Sequence, residues 1–196
     1  PTVTVLVLGE PRVGKSTFLS YVFTATLIPS SPSSSSSPSS SSSPLPLPLL
    51  PPSTQPHLVS LRLHNKPYAL LLYDTASPTP FTALSPDLII LAFDVSRRAT
   101  LTALRDRWLP LVDVAFNADE RVGVMVLGLC RDRRDKLRYR DEDAVGDGEG
   151  GGGGIVTPHE ALAVAQAMRC DRYAECSALT GELCGLVVED VAKMAA

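Results

Sequence analysis

The chain has 196 residues, 44% of them hydrophobic and 20% charged, enough for one domain with a single buried core, and no apolar run approaches the ~18 residues of a membrane span. Its 18 basic and 21 acidic residues leave a net charge of -3, which excludes the basic field that non-specific nucleic-acid binding requires. Cys130, Cys170, Cys176 and Cys184 are spaced neither as CxxC pairs nor as a secreted framework, so they read as reduced packing thiols and point to the cytoplasm.

Val3 to Leu8 (VTVLVL) is β-branched and apolar on both faces, as a strand inside a parallel sheet is. Ser16 to Thr26 reads as the helix that follows. Pro29 to Pro56 then holds 9 prolines and 13 serines, too little apolar surface to offset ordering entropy, so this insert is predicted not to fold. His57 to His64 (HLVSLRLH) alternates as a strand with one wet face, and Asn65-Lys66 turns it into Tyr68 to Tyr73 as a hairpin. Asp87 to Phe93 is a buried strand, Ala99 to Phe116 a helix carrying Leu101, Leu104, Trp108 and Leu111 on one face, and Val122 to Leu129 another strand.

Arg131 to Arg140 carries six basic residues, either a solvated face or a docking patch for an acidic partner. Asp141 to Gly154, acidic and then glycine-rich, has the composition of a flexible linker. Thr157, Pro158 and Glu160 form a capping box that opens a helix to about Met168. Tyr173 to Cys176 is a short strand and Glu182 to Met194 the closing helix. The order β-α-β-β-α-β-α-β-α-β-α implies one domain over residues 1–196, with a mostly parallel sheet covered by helices on both faces.

GEPRVGKS, Gly9 to Ser16, fits GxxxxGK(S/T) at the first strand-to-helix junction. Glycines there let backbone N–H groups close around phosphate oxygens, the helix N-terminus adds its dipole, Lys15 reaches the β- and γ-phosphates, and Ser16 ligates Mg²⁺. Asp74 ends an apolar strand, at the edge where ligands bind in open α/β sheets; it is either a Mg²⁺-holding carboxylate or a turn residue.

GEPRVGKST, YDTA at Tyr73 to Ala76 and ECSAL at Glu175 to Leu179 resemble, in order and interval, the phosphate, Mg²⁺ and guanine-ring motifs of Ras-superfamily small GTPases. The Rho branch is the most similar, through DVSRRATLTALRDRWLPLV and VTPHEALAVAQAM. The resemblance implies a Ras-like P-loop NTPase fold of the α/β class, three layers with a six-stranded, mostly parallel sheet and one antiparallel edge strand. It implies GTP or GDP as ligand, with Mg²⁺ at Ser16 and Asp74. Nucleotide contacts fall on Gly9, Pro11, Arg12, Val13, Gly14, Lys15, Ser16, Thr17, Asp74, Asp132, Ser177 and Ala178. Protein effectors or regulators would be the partners in signalling. No CaaX prenylation signal precedes Ala196, so no lipid anchor is expected unless the natural C-terminus is longer.

Departures from the family pattern bear on turnover. Where the family reads DTAGQ, this chain has Asp74, Thr75, Ala76, Ser77 and Pro78, so the glutamine that orients the attacking water is replaced by proline. Asp132 keeps the guanine-selecting carboxylate, but Cys130 replaces the lysine that covers the ring. Leu129 replaces the residue that ties this loop to the phosphate loop, and Leu27 the aromatic that stacks on the base. Pro52 falls where the metal-ligating threonine belongs, with Ser53 or Thr54 as substitutes after a register shift. The sequence therefore implies a nucleotide-binding domain with slow or impaired hydrolysis, or alternatively a pseudo-GTPase scaffold.

Overall fold

The computed structural model describes residues 1–27, 48–63, 65–77, 79–116, 121–134 and 154–195. Expectations for Pro78, for residues 29–47 of the Ser/Pro stretch and for 135–153 lie outside them. The strands are β1 (Thr2–Leu8), β2 (His57–Leu63), β3 (Lys66–Asp74), β4 (Leu88–Asp94), β5 (Gly123–Leu129) and β6 (Arg172–Glu175), in one sheet ordered β2-β3-β1-β4-β5-β6. Only β2 runs antiparallel, at the edge, paired with β3; the other pairings are parallel. This is the six-stranded arrangement that the resemblance implies.

Alternation along β1 sorts the core into two layers. Val3, Val5 and Val7 pack with Phe18, Leu19 and Val22 of α1 (Lys15–Leu27) and with Val187 and Val191 of the C-terminal helix (Cys184–Met194). Leu6 and Leu8 face the opposite side, with Leu101, Leu104 and Trp108 and with Ala161 and Ala165 of the helix Pro158–Ala167. Strand β4 is buried at every position, as a strand with helices on both faces must be. Among the described residues no helix is long and apolar enough to cross a membrane.

Four expectations are corrected. The helix implied between β3 and β4 is replaced by a single 3-10 turn, Phe81–Ala83; Pro80 and Pro86 each lack an N–H donor, so no α-helical ladder can run through this segment. The helix expected over Ala99 to Phe116 is α2 (Arg98–Ala103), a π turn (Leu104–Trp108) and α3 (Leu109–Ala115). Pro110 removes a donor there, and the N–H of Leu109 reaches back five residues to the carbonyl of Leu104. Leu101, Leu104 and Trp108 still share the buried face.

Residues 48–56 of the insert predicted not to fold belong to the folded domain: Leu50 N–H donates to Ser20 Oγ at 3.0 Å, and Pro52–Thr54 forms a 3-10 turn. The capping box is half formed. Thr157 accepts from the Glu160 N–H, but the Glu160 carboxylate pairs with Arg98 at 2.9 Å.

Candidate functional site

Gly9 leaves β1 at φ +147°, and a Cβ there would stand 2.1 Å from the Ala92 carbonyl oxygen, so only glycine lets the loop pass over β4. The loop then turns through Arg12 (φ 63°) and Gly14 (φ 103°) into α1. Lys15 is 7% exposed, and its ammonium donates back to the carbonyls of Gly9 (2.9 Å) and Glu10 (3.0 Å). Burial pulls its pKa below the ordinary lysine value, against the opposing pull of Asp74 and Glu10.

Two long-range ties hold this loop. Glu10 Oε1 accepts from the indole N–H of Trp108 and from Arg107, each at 3.0 Å. Arg97 donates to the Arg12 carbonyl (2.9 Å) while pairing with buried Asp94 (3.0 Å). Neither tie was visible in the sequence, where Trp108 reads as a member of an apolar stripe and of the Rho-like stretch.

Asp74, 1% exposed, closes β3 beside the first turn of α1. Its Oδ2 accepts from Ser16 Oγ at 2.9 Å and its Oδ1 from the Ala76 N–H at 2.7 Å. Octahedral Mg²⁺ holds oxygens at about 2.1 Å, which sets neighbouring ligands about 3.0 Å apart. The Ser16–Asp74 separation fits such a pair, so these hard oxygen donors are suited to the metal, Asp74 directly or through a water.

A pocket of about 300 Å³ beside them is lined by Ser16, Asp74, Pro52, Gln55 and His57. Pro52 is therefore adjacent to the metal-suited pair and brings no oxygen from its side chain. Thr54 donates its hydroxyl to the Pro51 carbonyl at 2.7 Å, and Ser53 and Thr54 are exposed. Gln55, which sequence reasoning passed over, contacts Asp74 instead. His57 is buried against Phe23, and burial lowers its pKa.

At the C-terminal ends of β5 and β6 a second cleft of about 280 Å³ is lined by Arg12, Gly14 and Thr17 together with Leu129, Cys130, Asp132 and Ala178. Five expected nucleotide contacts thus face one space. Ser177 is fully buried, and its hydroxyl donates to Asp132 Oδ1 at 2.6 Å; it orients the carboxylate from beneath the cleft. Leu129 is buried in the core. The link between this loop and the phosphate loop runs through Cys130, whose Sγ lies 3.7 Å from the Val13 carbonyl and whose pKa burial and then Asp94 raise to about 11. Leu27 ends α1; its side chain lies outside the described residues.

The basic run begins as a helical turn over residues 131–134. Both readings of its start are corrected at Arg134, which is 4% exposed. Its guanidinium grips Glu175 through two hydrogen bonds of 2.6 Å and donates to the Val156 carbonyl at 2.9 Å. It fastens the Asp132 turn to β6, just before Ser177.

No protein-family model matches the chain. GTP-binding protein RHO2 of Saccharomyces cerevisiae is 26% identical over 183 residues, 90% of this chain and 80% of that protein. GTP-binding protein RHO3 of Eremothecium gossypii is 26% identical over 188 residues, 89% of this chain and 75% of that protein. Over most of its length the chain is similar to Rho-type GTP-binding proteins. The human Rho-related GTP-binding protein RhoD adds 26% identity over 145 residues, 71% of this chain and 65% of that protein. In the Rho-like chain the three motif stretches, far apart in sequence, converge at the carboxyl edge of the parallel strands, where β1, β3 and β6 end.

Proposed function

We propose that the Rho-like chain binds GTP and GDP with Mg²⁺, hydrolyses GTP slowly, and acts in signalling by presenting its nucleotide state to protein effectors or regulators. The observation that carries this reading is the juxtaposition, at one edge of the sheet, of a glycine loop opening a helix, a hard-oxygen pair and an oriented carboxylate, with clefts beside them. Gly9, Pro11, Arg12, Val13 and Gly14 supply the backbone that encloses phosphates, and Lys15 exchanges its two carbonyl partners for β- and γ-phosphate oxygens. Ser16 and Asp74 hold the metal, which when bound neutralises phosphate charge. Asp132, steadied by Ser177, accepts from guanine N1–H and N2–H, with Thr17 and Ala178 closing the cleft.

Slow turnover follows from the segment after Asp74. The N–H of Ser77 donates to the Asp74 carbonyl at 3.1 Å, so this donor is directed into a turn rather than toward a transferring phosphate. Pro78 has no side-chain group to orient water. Purifying the protein, denaturing it and chromatographing the released ligand should yield GDP or GTP, and Lys15→Ala should abolish retention of a fluorescent guanine nucleotide. Undiminished retention by that variant rejects the assignment. A pseudo-GTPase scaffold is favoured by one observation, that Lys15 and Asp74 are already hydrogen-bonded to partners within the chain; release of no nucleotide would select it.

A further inference from the structure

Gln55 emerges from the Ser/Pro stretch two residues before β2. The β2–β3 register pairs His57 with Leu72 and Leu58 with Leu71. Continued two residues beyond His57, it sets Gln55 opposite Asp74, and there the side chain takes over from the backbone ladder. Gln55 Nε2 donates to Asp74 Oδ1 at 2.7 Å, and Gln55 Oε1 accepts the Asp74 N–H at 2.8 Å. Only an amide offers this donor and acceptor side by side, and the two partners fix which end is which. With the Ala76 N–H also on Oδ1, the carboxylate cannot rotate, and Oδ2 is held toward Ser16.

We propose that Gln55 is the positioning residue of the Mg²⁺ site: from outside the ligand sphere it clamps Asp74 in the orientation that serves the metal. This rests on the nucleotide-binding reading above. The clamp also anchors the strap from Pro48 to Gln55, which is attached as well, among the described residues, by the Leu50 N–H on Ser20. Metal binding and strap position are thereby coupled through one side chain. Groups that orient a metal ligand govern affinity strongly even though they never touch the ion.

The test follows release of a fluorescent GDP analogue from the full chain across free Mg²⁺, from EDTA to millimolar. Gln55→Ala should raise the half-saturating Mg²⁺ about tenfold or more while leaving the release rate in EDTA unchanged, a split that general loosening of the fold would not produce. The double variant Ser53→Ala with Thr54→Ala should leave the Mg²⁺ dependence as it is. Hydrogen exchange at the Asp74 amide, measured without nucleotide, should speed up in Gln55→Ala.

An unshifted Mg²⁺ dependence in Gln55→Ala overturns the proposal, as does a shift produced by the hydroxyl variant alone. If the unaltered protein retains no guanine nucleotide, the nucleotide-binding reading fails, and Mn²⁺ binding to the bare protein by water-proton relaxation decides. Weaker Mn²⁺ binding in Gln55→Ala supports the clamp, and equal or absent binding rejects it. Should Gln55→Ala not fold, Gln55→Met, similar in volume and lacking both polar groups, carries the same expectations.

Discussion

Replacing Arg134 by methionine tests the tie that fixes the Asp132 turn to the sheet. The substitution leaves the Glu175 carboxylate, 7% exposed, without its two 2.6 Å hydrogen bonds, and leaves the Val156 carbonyl without its 2.9 Å donor. Removing one partner of a buried ion pair costs about 3–5 kcal/mol, because the remaining charge stays desolvated. Glu175 keeps the Tyr173 hydroxyl, and Arg131 stands 3.8 Å away, so the lower end of that range, about 3 kcal/mol, is expected.

For a domain of this size about 3 kcal/mol corresponds to a fall in Tm of roughly 6–12 °C. Urea and thermal unfolding followed by circular dichroism measure it, and added salt should change the loss little, since a buried pair is poorly screened. The double variant Arg134→Met with Glu175→Leu should recover most of the loss, because no buried charge is then left unpaired. A loss below about 1 kcal/mol, the level of an exposed pair, or a double variant no better than the single, would refute the reasoning.

Asp132→Ala should bring GTP and ATP affinities together, since guanine N1–H and N2–H buried without an acceptor cost about 1–3 kcal/mol; competition binding checks this, and equal affinities in the unaltered protein would remove its basis. Burial raises the Cys130 pKa to about 11, with help from Asp94, and the Cys170 pKa to about 12, with help from Asp171, both above the ordinary 9.0. The folded state therefore holds more protons than the unfolded state above pH 9, so stability should be intact below pH 9 and decline toward pH 11–12. Unfolding at stepped alkaline pH measures the decline, and Cys130→Ala should flatten it. Ser77→Gly with Pro78→Gln should raise single-turnover GTP hydrolysis; no rise would place the fault at Pro52 and the strap.

Local patterning made most of the architecture legible. The apolar run of β1, the glycine spacing of Gly9 to Ser16 and the alternation of His57 to Leu63 are properties of neighbouring residues, and backbone sterics with periodic burial suffice to read them. The same logic failed between β3 and β4, where a helix was assumed although Pro80 and Pro86 deny the backbone its donors. Inside the Ser/Pro stretch the outcome turned on one residue. Composition predicts no folding there, but the ladder of β2 against β3 delivers Gln55 to Asp74, and two hydrogen bonds hold the adjoining strap.

By itself the sequence singled out Gly9 to Ser16 and Asp74 as candidates and indicated the sheet's strand content, because each is written in contiguous residues, while Asp132 entered through the family resemblance. Only the tertiary structure decided their partners. Ser16 meets Asp74 across 58 positions, Ser177 meets Asp132 across 45, and Arg134 leaves its basic run to be buried against Glu175 across 41. Such pairs form because the parallel crossovers bring the carboxyl ends of distant strands to one edge of the sheet. A hydrogen bond there depends on register and crossing geometry, and no local property of the chain encodes either.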